Sequence, residues 1–180
     1  MKKRRAISRV LTEAIMVIIV LGAVAIAGLF FSGTLSTLLG GSYPVLTVEA
    51  ASTNIDLGTG TGTVYLTLKN TGSGTLQLSK LEISGKTAFT ISVAADSKPH
   101  LTWGTHDVTG SVESKSSGMA GVSGSNILVP SNAFVTLKFT FTSTPDNKLT
   151  DIMDVGASYS GVAFPVTGNP IQFHFLLPSW

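Results

Sequence analysis

Three histidines, His100, His106 and His174, and a run of oxygen-bearing residues, Asp146, Asn147, Asp151 and Asp154, are the side chains best suited to metal or acid–base chemistry in this chain. Imidazole and carboxylate groups together can hold a divalent ion or move a proton near neutral pH. Their spacing argues against both. His100 and His106 flank Trp103 and read as surface residues, and His174, between Phe173 and Phe175, falls on the polar side of a strand. The acidic run departs from the EF-hand spacing, and acidic turn residues ordinarily bond their own backbone. The chain has no Gly-x-Ser-x-Gly elbow, no phosphate-binding loop and no cysteine, so the familiar nucleophilic and phosphate-binding arrangements are missing. The expectation is a structural protein without catalytic activity, cofactor or metal.

The elements that would position these residues follow from periodicity. From Val45 onward the apolar residues alternate. Val64, Leu66 and Leu68 share one face, and Val135, Leu137, Phe139 and Phe141 share another, with Thr and Lys opposite. Such alternation marks strands buried on one side and wet on the other. Further strands are expected at 45–50, 75–84, 89–93, 127–129, 153–159, 162–166 and 171–177. Turns are expected at Asn70-Thr71-Gly72-Ser73-Gly74, Pro130-Ser131-Asn132 and Thr144-Pro145-Asp146-Asn147. Seven to nine short strands imply an antiparallel sandwich of immunoglobulin type. The stretch 95–126, rich in Ser, Gly and Thr, is expected to be a long surface loop. No Asn-x-Ser/Thr acceptor occurs. With no cysteine, packing or neighbouring subunits must supply the stability that a disulfide would add.

The N-terminus is of a different kind. Lys2-Lys3-Arg4-Arg5 is followed by Ala6-Ile7-Ser8, a short polar stretch ending at Glu13, and a run from Ala14 to Phe31 without charge or proline. A run of that length spans a hydrocarbon layer of about 30 Å as a helix, and the cations would keep its start on the cytoplasmic side. No proline falls between Ile7 and Leu39, which allows one helix of roughly 50 Å. Gly22, Ala23, Ala25, Ala27 and Gly28 would keep its middle thin enough for close helix contact. Five of the twelve Lys and Arg residues lie at or before Arg9, and without Lys2 to Arg5 eight cations face ten acids, a net charge of −2. The basic balance thus belongs to a targeting segment, and nucleic acid is not an expected partner.

Three readings fit this segment. Ala23-Val24-Ala25 and Ala25-Ile26-Ala27 offer small-x-small sites for secretory cleavage, and an uncleaved anchor is also compatible. In the third, Lys3-Arg4-Arg5-Ala6-Ile7-Ser8, then Glu13, then the apolar run, resembles the class III signal of archaeal type IV pilins and archaellins. The segment from Val64 through the 70–74 turn to Leu81 looks like the strand-turn-strand pieces of archaeal pilin heads. The resemblance implies cleavage between Ala6 and Ile7, with Arg5 as the preceding cation, or otherwise between Arg5 and Ala6. It also implies that Glu13 registers incoming subunits, although as the seventh mature residue instead of the fifth. Locally, Glu13 is equally explained as a carboxylate near a helix N-terminus with Arg9 four residues before it.

The resulting expectation is an α+β chain. Residues 1–6 form a leader, 7–41 a long hydrophobic transmembrane or filament-core helix, and 42–180 an extracellular immunoglobulin-like β-sandwich. The function implied by the resemblance is a pilin, membrane-anchored as a precursor and then polymerised into a surface filament for adhesion. Its implied partners are identical subunits, the membrane, a class III signal peptidase, and an assembly ATPase with its platform protein. An archaellin-type motility filament and a monomeric anchored β-domain that binds a ligand are the alternatives.

Overall fold

The computed structural model describes residues 15–17, 20, 44–145 and 147–178, and the chain divides into two units, 1–42 and 43–180. Of the first unit, Ile15–Val17 and Val20 are described. They are helical, and each is about half exposed or more. The second unit runs β1 (Leu46–Asp56), β2 (Thr61–Asn70), β3 (Leu76–Ser84), β4 (Phe89–Val93), β5 (Pro99–Trp103), β6 (His106–Lys115), β7 (Gly121–Ser123), β8 (Asn126–Val129), β9 (Ala133–Phe141), α1 (Leu149–Ile152), β10 (Ser158–Pro165) and β11 (Ile171–Leu176).

Several expectations are corrected. The described chain is all-β in class, not α+β, because its apolar residues recur every second position and its remaining helix in the second unit is the single turn α1. A span needs about 20 apolar helical residues. Among the described residues no helix is long and apolar enough to cross a membrane, so the transmembrane helix over 7–41 and the membrane-anchored precursor are not supported. The immunoglobulin-type plan also gives way. Eleven strands lie on one hydrogen-bonded network, in the order β1-β2-β9-β6-β5-β4-β3-β10-β11, with β8 on β3 and β7 on β8. The loop expected at 95–126 contains β5, β6 and β7. The strand expected at 153–159 is instead a buried Met153, just past α1, and a turn before β10 begins at Ser158.

All the pairings are antiparallel, and the network rolls around one core. β6 makes the turn. Its first half, His106–Thr109, pairs with β5, and its second half, from Gly110, pairs with β9. At that corner a side chain would not fit: a Cβ on Gly110 would lie 2.6 Å from Phe139 Cε1 and 2.8 Å from the Lys138 carbonyl oxygen. In β3 the inward positions shift phase, from Leu76 and Leu78 to Leu81 and Ile83. The pairing with β10 slips at the same place, between Phe164 and Pro165, as an extra residue in one strand requires. Ser79, skipped there, donates to the Phe164 carbonyl at 2.9 Å. The strands at the two ends of the order, β1 and β11, pack beside each other. Ser52 Oγ of β1 donates to Pro178 O, just past β11, at 2.9 Å.

Candidate functional site

Hairpin chemistry assembles the most organised polar cluster. β4 and β5 are joined through residues 94–98, where Ser97 N donates to Ala94 O at 3.0 Å and Ala94 N to Lys98 O at 3.2 Å. Ser97 takes a φ of 60° there, a region that side chains with a Cβ seldom occupy. β5 then turns into β6 through Gly104-Thr105, setting Trp103 opposite His106 and Thr102 opposite Asp107. Pro99, Leu101 and Trp103 face the core and force His100 to the outer side. Asp107 lies diagonally across from His100 on that same side, within reach for a cross-strand pair.

The result is a histidine between two carboxylates. His100 Nδ1 lies 2.8 Å from Asp107 Oδ2 and 2.9 Å from Oδ1, and Nε2 lies 3.3 Å from both oxygens of Asp96. The His100 side chain is 13% exposed, whereas the two carboxylates are about half exposed. Burial of the ring works against its proton, but the hydrogen bonds and negative charges of Asp107 and Asp96 outweigh it, and the imidazole titrates above its ordinary value. Asp96 is held below the ordinary carboxylate range, first by the Lys98 backbone N–H and then by His100. The cluster can hold a proton and an imidazolium. Ser92 of β4 and Thr109 of β6 stand directly across from His100, and among the described residues no group of three His, Cys, Asp or Glu side chains is arranged to hold a metal ion.

The other sequence candidates disperse. The His106 ring stacks against Trp103 at 5.1 Å, tilted by 32°. His174 faces outward on β11 beside Ser160, and with Ser84, Val162 and Gln172 it rims a shallow depression of about 220 Å³. A second depression, of about 380 Å³, lies by the β7–β8 hairpin, between Lys115, Met119, Val122, Leu128 and Pro130. The described members of the acidic run do not converge. Asp151 O accepts from Thr87, the Asp154 carboxylate meets Lys86 Nζ at 3.5 Å, and the Asp154 backbone is bonded by the Tyr159 hydroxyl. Asp146 lies outside the described residues. So do Arg5, Ala6, Ile7, Glu13, Gly22, Ala23, Ala25, Ala27 and Gly28. Neither Asp96 nor Asp107 stands out in the sequence. The signal that finds them is the alternation Leu101, Trp103, Val108 around a Gly-Thr turn, which fixes the hairpin register and hence the diagonal.

The fold thus defines an all-β domain built from antiparallel strands. No protein family matches the sequence, and no curated protein does. Two solved structures of the GH20 exo-β-N-acetylglucosaminidase from Vibrio harveyi are similar over 74% of this chain, one in complex with N-acetylglucosamine and one an inactive mutant. Both show 15% identity and a TM-score of 0.36. The chain spans 19% of that enzyme's length, and at this similarity neither fold nor activity transfers.

Proposed function

We propose that the chain is a structural subunit of a filament of the archaeal type IV pilus kind. In this reading the apolar N-terminal segment is the assembling part and the β-domain is the outer layer that adheres to surfaces. The observation that carries the reading is the block Lys2 to Arg5 followed at once by Ala6-Ile7-Ser8, then Glu13, then the uncharged run Ala14 to Phe31. The outer strand positions of the β-domain are mostly polar, with many Ser and Thr, which suits a surface layer in contact with water.

The test is the mature N-terminus, determined by mass spectrometry on the fraction sheared from cells and sedimented. A start at Ile7 or Ala6 in sedimenting material supports the proposal. A start at Gly28, or intact Met1 in material that does not sediment, overturns it. Replacing Ala6 by Leu is expected to block processing and leave the full-length chain, as read by the same mass measurement. Normal maturation of that variant would remove Ala6 from the processing site.

A further inference from the structure

The geometry points to a proton-operated clasp: Asp96, His100 and Asp107 together hold the 94–98 turn closed against the β5–β6 hairpin while His100 is doubly protonated, and release the turn when it is not. This inference is independent of the filament reading. It uses three residues that sit on separate pieces of backbone. Asp96 belongs to the turn, His100 to β5 and Asp107 to β6.

An imidazolium donates from both ring nitrogens, so it can satisfy a carboxylate on each side. A neutral ring keeps one N–H. The shorter and doubly shared contact, Nδ1 to Asp107 at 2.8 and 2.9 Å, keeps that proton. Nε2 then becomes a lone pair pointing at the Asp96 carboxylate 3.3 Å away. Acceptor facing acceptor is repulsive, and the Asp96 side gives way. The turn is prepared to move, because Ser97 is held at a φ of 60°, a conformation that persists only where its surroundings enforce it. Asp96 is also one of those surroundings, accepting from Lys98 N at 3.1 Å.

The charged groups acting on His100 are Asp96 on the turn and Asp107 on β6, and the Lys98 charge on the same turn acts on Asp96. The other cross-strand partners of His100, Ser92 on β4 and Thr109 on β6, are neutral. The sign follows from the direction of the shift. The folded protein holds the His100 proton more tightly than the unfolded chain, so the clasp's contribution is complete below the ordinary imidazole value of about 6.5 and is lost as pH rises through the higher folded value.

The experiment uses the full-length chain, kept in solution with detergent because of its apolar run. His100 is titrated by NMR, and amide exchange is followed at Ser97 and Lys98. The expected result is a midpoint above about 6.5, with protection of those amides falling about tenfold or more between about pH 5 and pH 8 after correction for intrinsic exchange. Asp96→Asn supplies the control. Its amide oxygen still accepts from Lys98 N, and its N–H₂ can donate to a neutral Nε2, so the turn is expected to stay closed across the range while the His100 midpoint falls. A wild-type midpoint at or below the ordinary value overturns the inference. So does protection that is flat with pH, or an Asp96→Asn variant that opens as the wild type does.

Discussion

The amide of Asn70 is completely buried at the end of β2. It donates to Gly74 O at 2.8 Å and to Val129 O at 3.0 Å, and it accepts from Gly72 N at 3.1 Å. One side chain thus closes the 70–74 turn and ties it to β8. Asn70→Ala removes a partner from the buried Val129 carbonyl and unties the turn at Gly72 and Gly74, and the expected loss is about 2 kcal/mol, read as a lower urea midpoint. Tyr159 gives a second residue-scale expectation. Its hydroxyl is bonded to the Asp154 backbone, and its ring lies 5.5 Å from that of Phe175. Burial holds its proton above the ordinary tyrosine range, against the opposing Asp154 hydrogen bond. The folded state therefore keeps a proton that the unfolded chain releases, and stability declines as pH rises past about 10. Tyr159→Phe is expected to lose about 1 kcal/mol at neutral pH through its hydrogen bonds and to flatten that alkaline decline. Unfolding midpoints on either side of the transition provide the check.

Among the elements, β6 matters most, because it pairs with β5 at one end and with β9 at the other. Gly110 sits at the crossover against Phe139. A valine there would have to displace an aromatic ring that is fully buried, and a cost of about 3 kcal/mol or more is expected, seen as a lower thermal midpoint. Gly161 opposite Phe173 is equally confined, since a Cβ there would lie 2.8 Å from Glu82 O. The elements also show why the sequence was readable in places. β4 and β9 carry apolar residues at every inward position and β2 does so from Val64 to Leu68, and the strand expected at 89–93 is found over that span. In β6 the inward positions include Gly110, and only Val108 and Val112 carry apolar side chains, so the period fades and the stretch resembles a loop. In β3 the extra residue at Ser79 shifts the alternation midway. The His100 cluster was hidden for the same reason. Its two carboxylates, four residues before and seven after the histidine, meet it only once the Gly104-Thr105 turn has fixed the strand register.

At the scale of the whole molecule, the first and last strands of the second unit pack beside each other at opposite ends of the strand order. The body closes only when β11 arrives, so contacts far apart in sequence must form late. That is the usual circumstance of slow folding in β proteins. Truncation after Gly168 removes β11 and with it the cover over Tyr159 and the Ser52 tie. The shortened chain is expected to show no cooperative thermal transition by circular dichroism. A sharp transition would mean that the core is complete without the last strand. With no cysteine in the chain, no covalent link substitutes for that closure.

β1 has a mechanical consequence. Residue 44 leads directly into β1, and β1 is paired with β2 continuously from Leu46 to Thr53. Tension applied at residue 44 along the axis of β1 would load that pairing. It strains those hydrogen bonds together in shear, where peeling would break them one after another. A domain loaded this way yields only when many bonds fail at once. Under steady drag it would behave as a stiff link, extending little before the point at which it unravels.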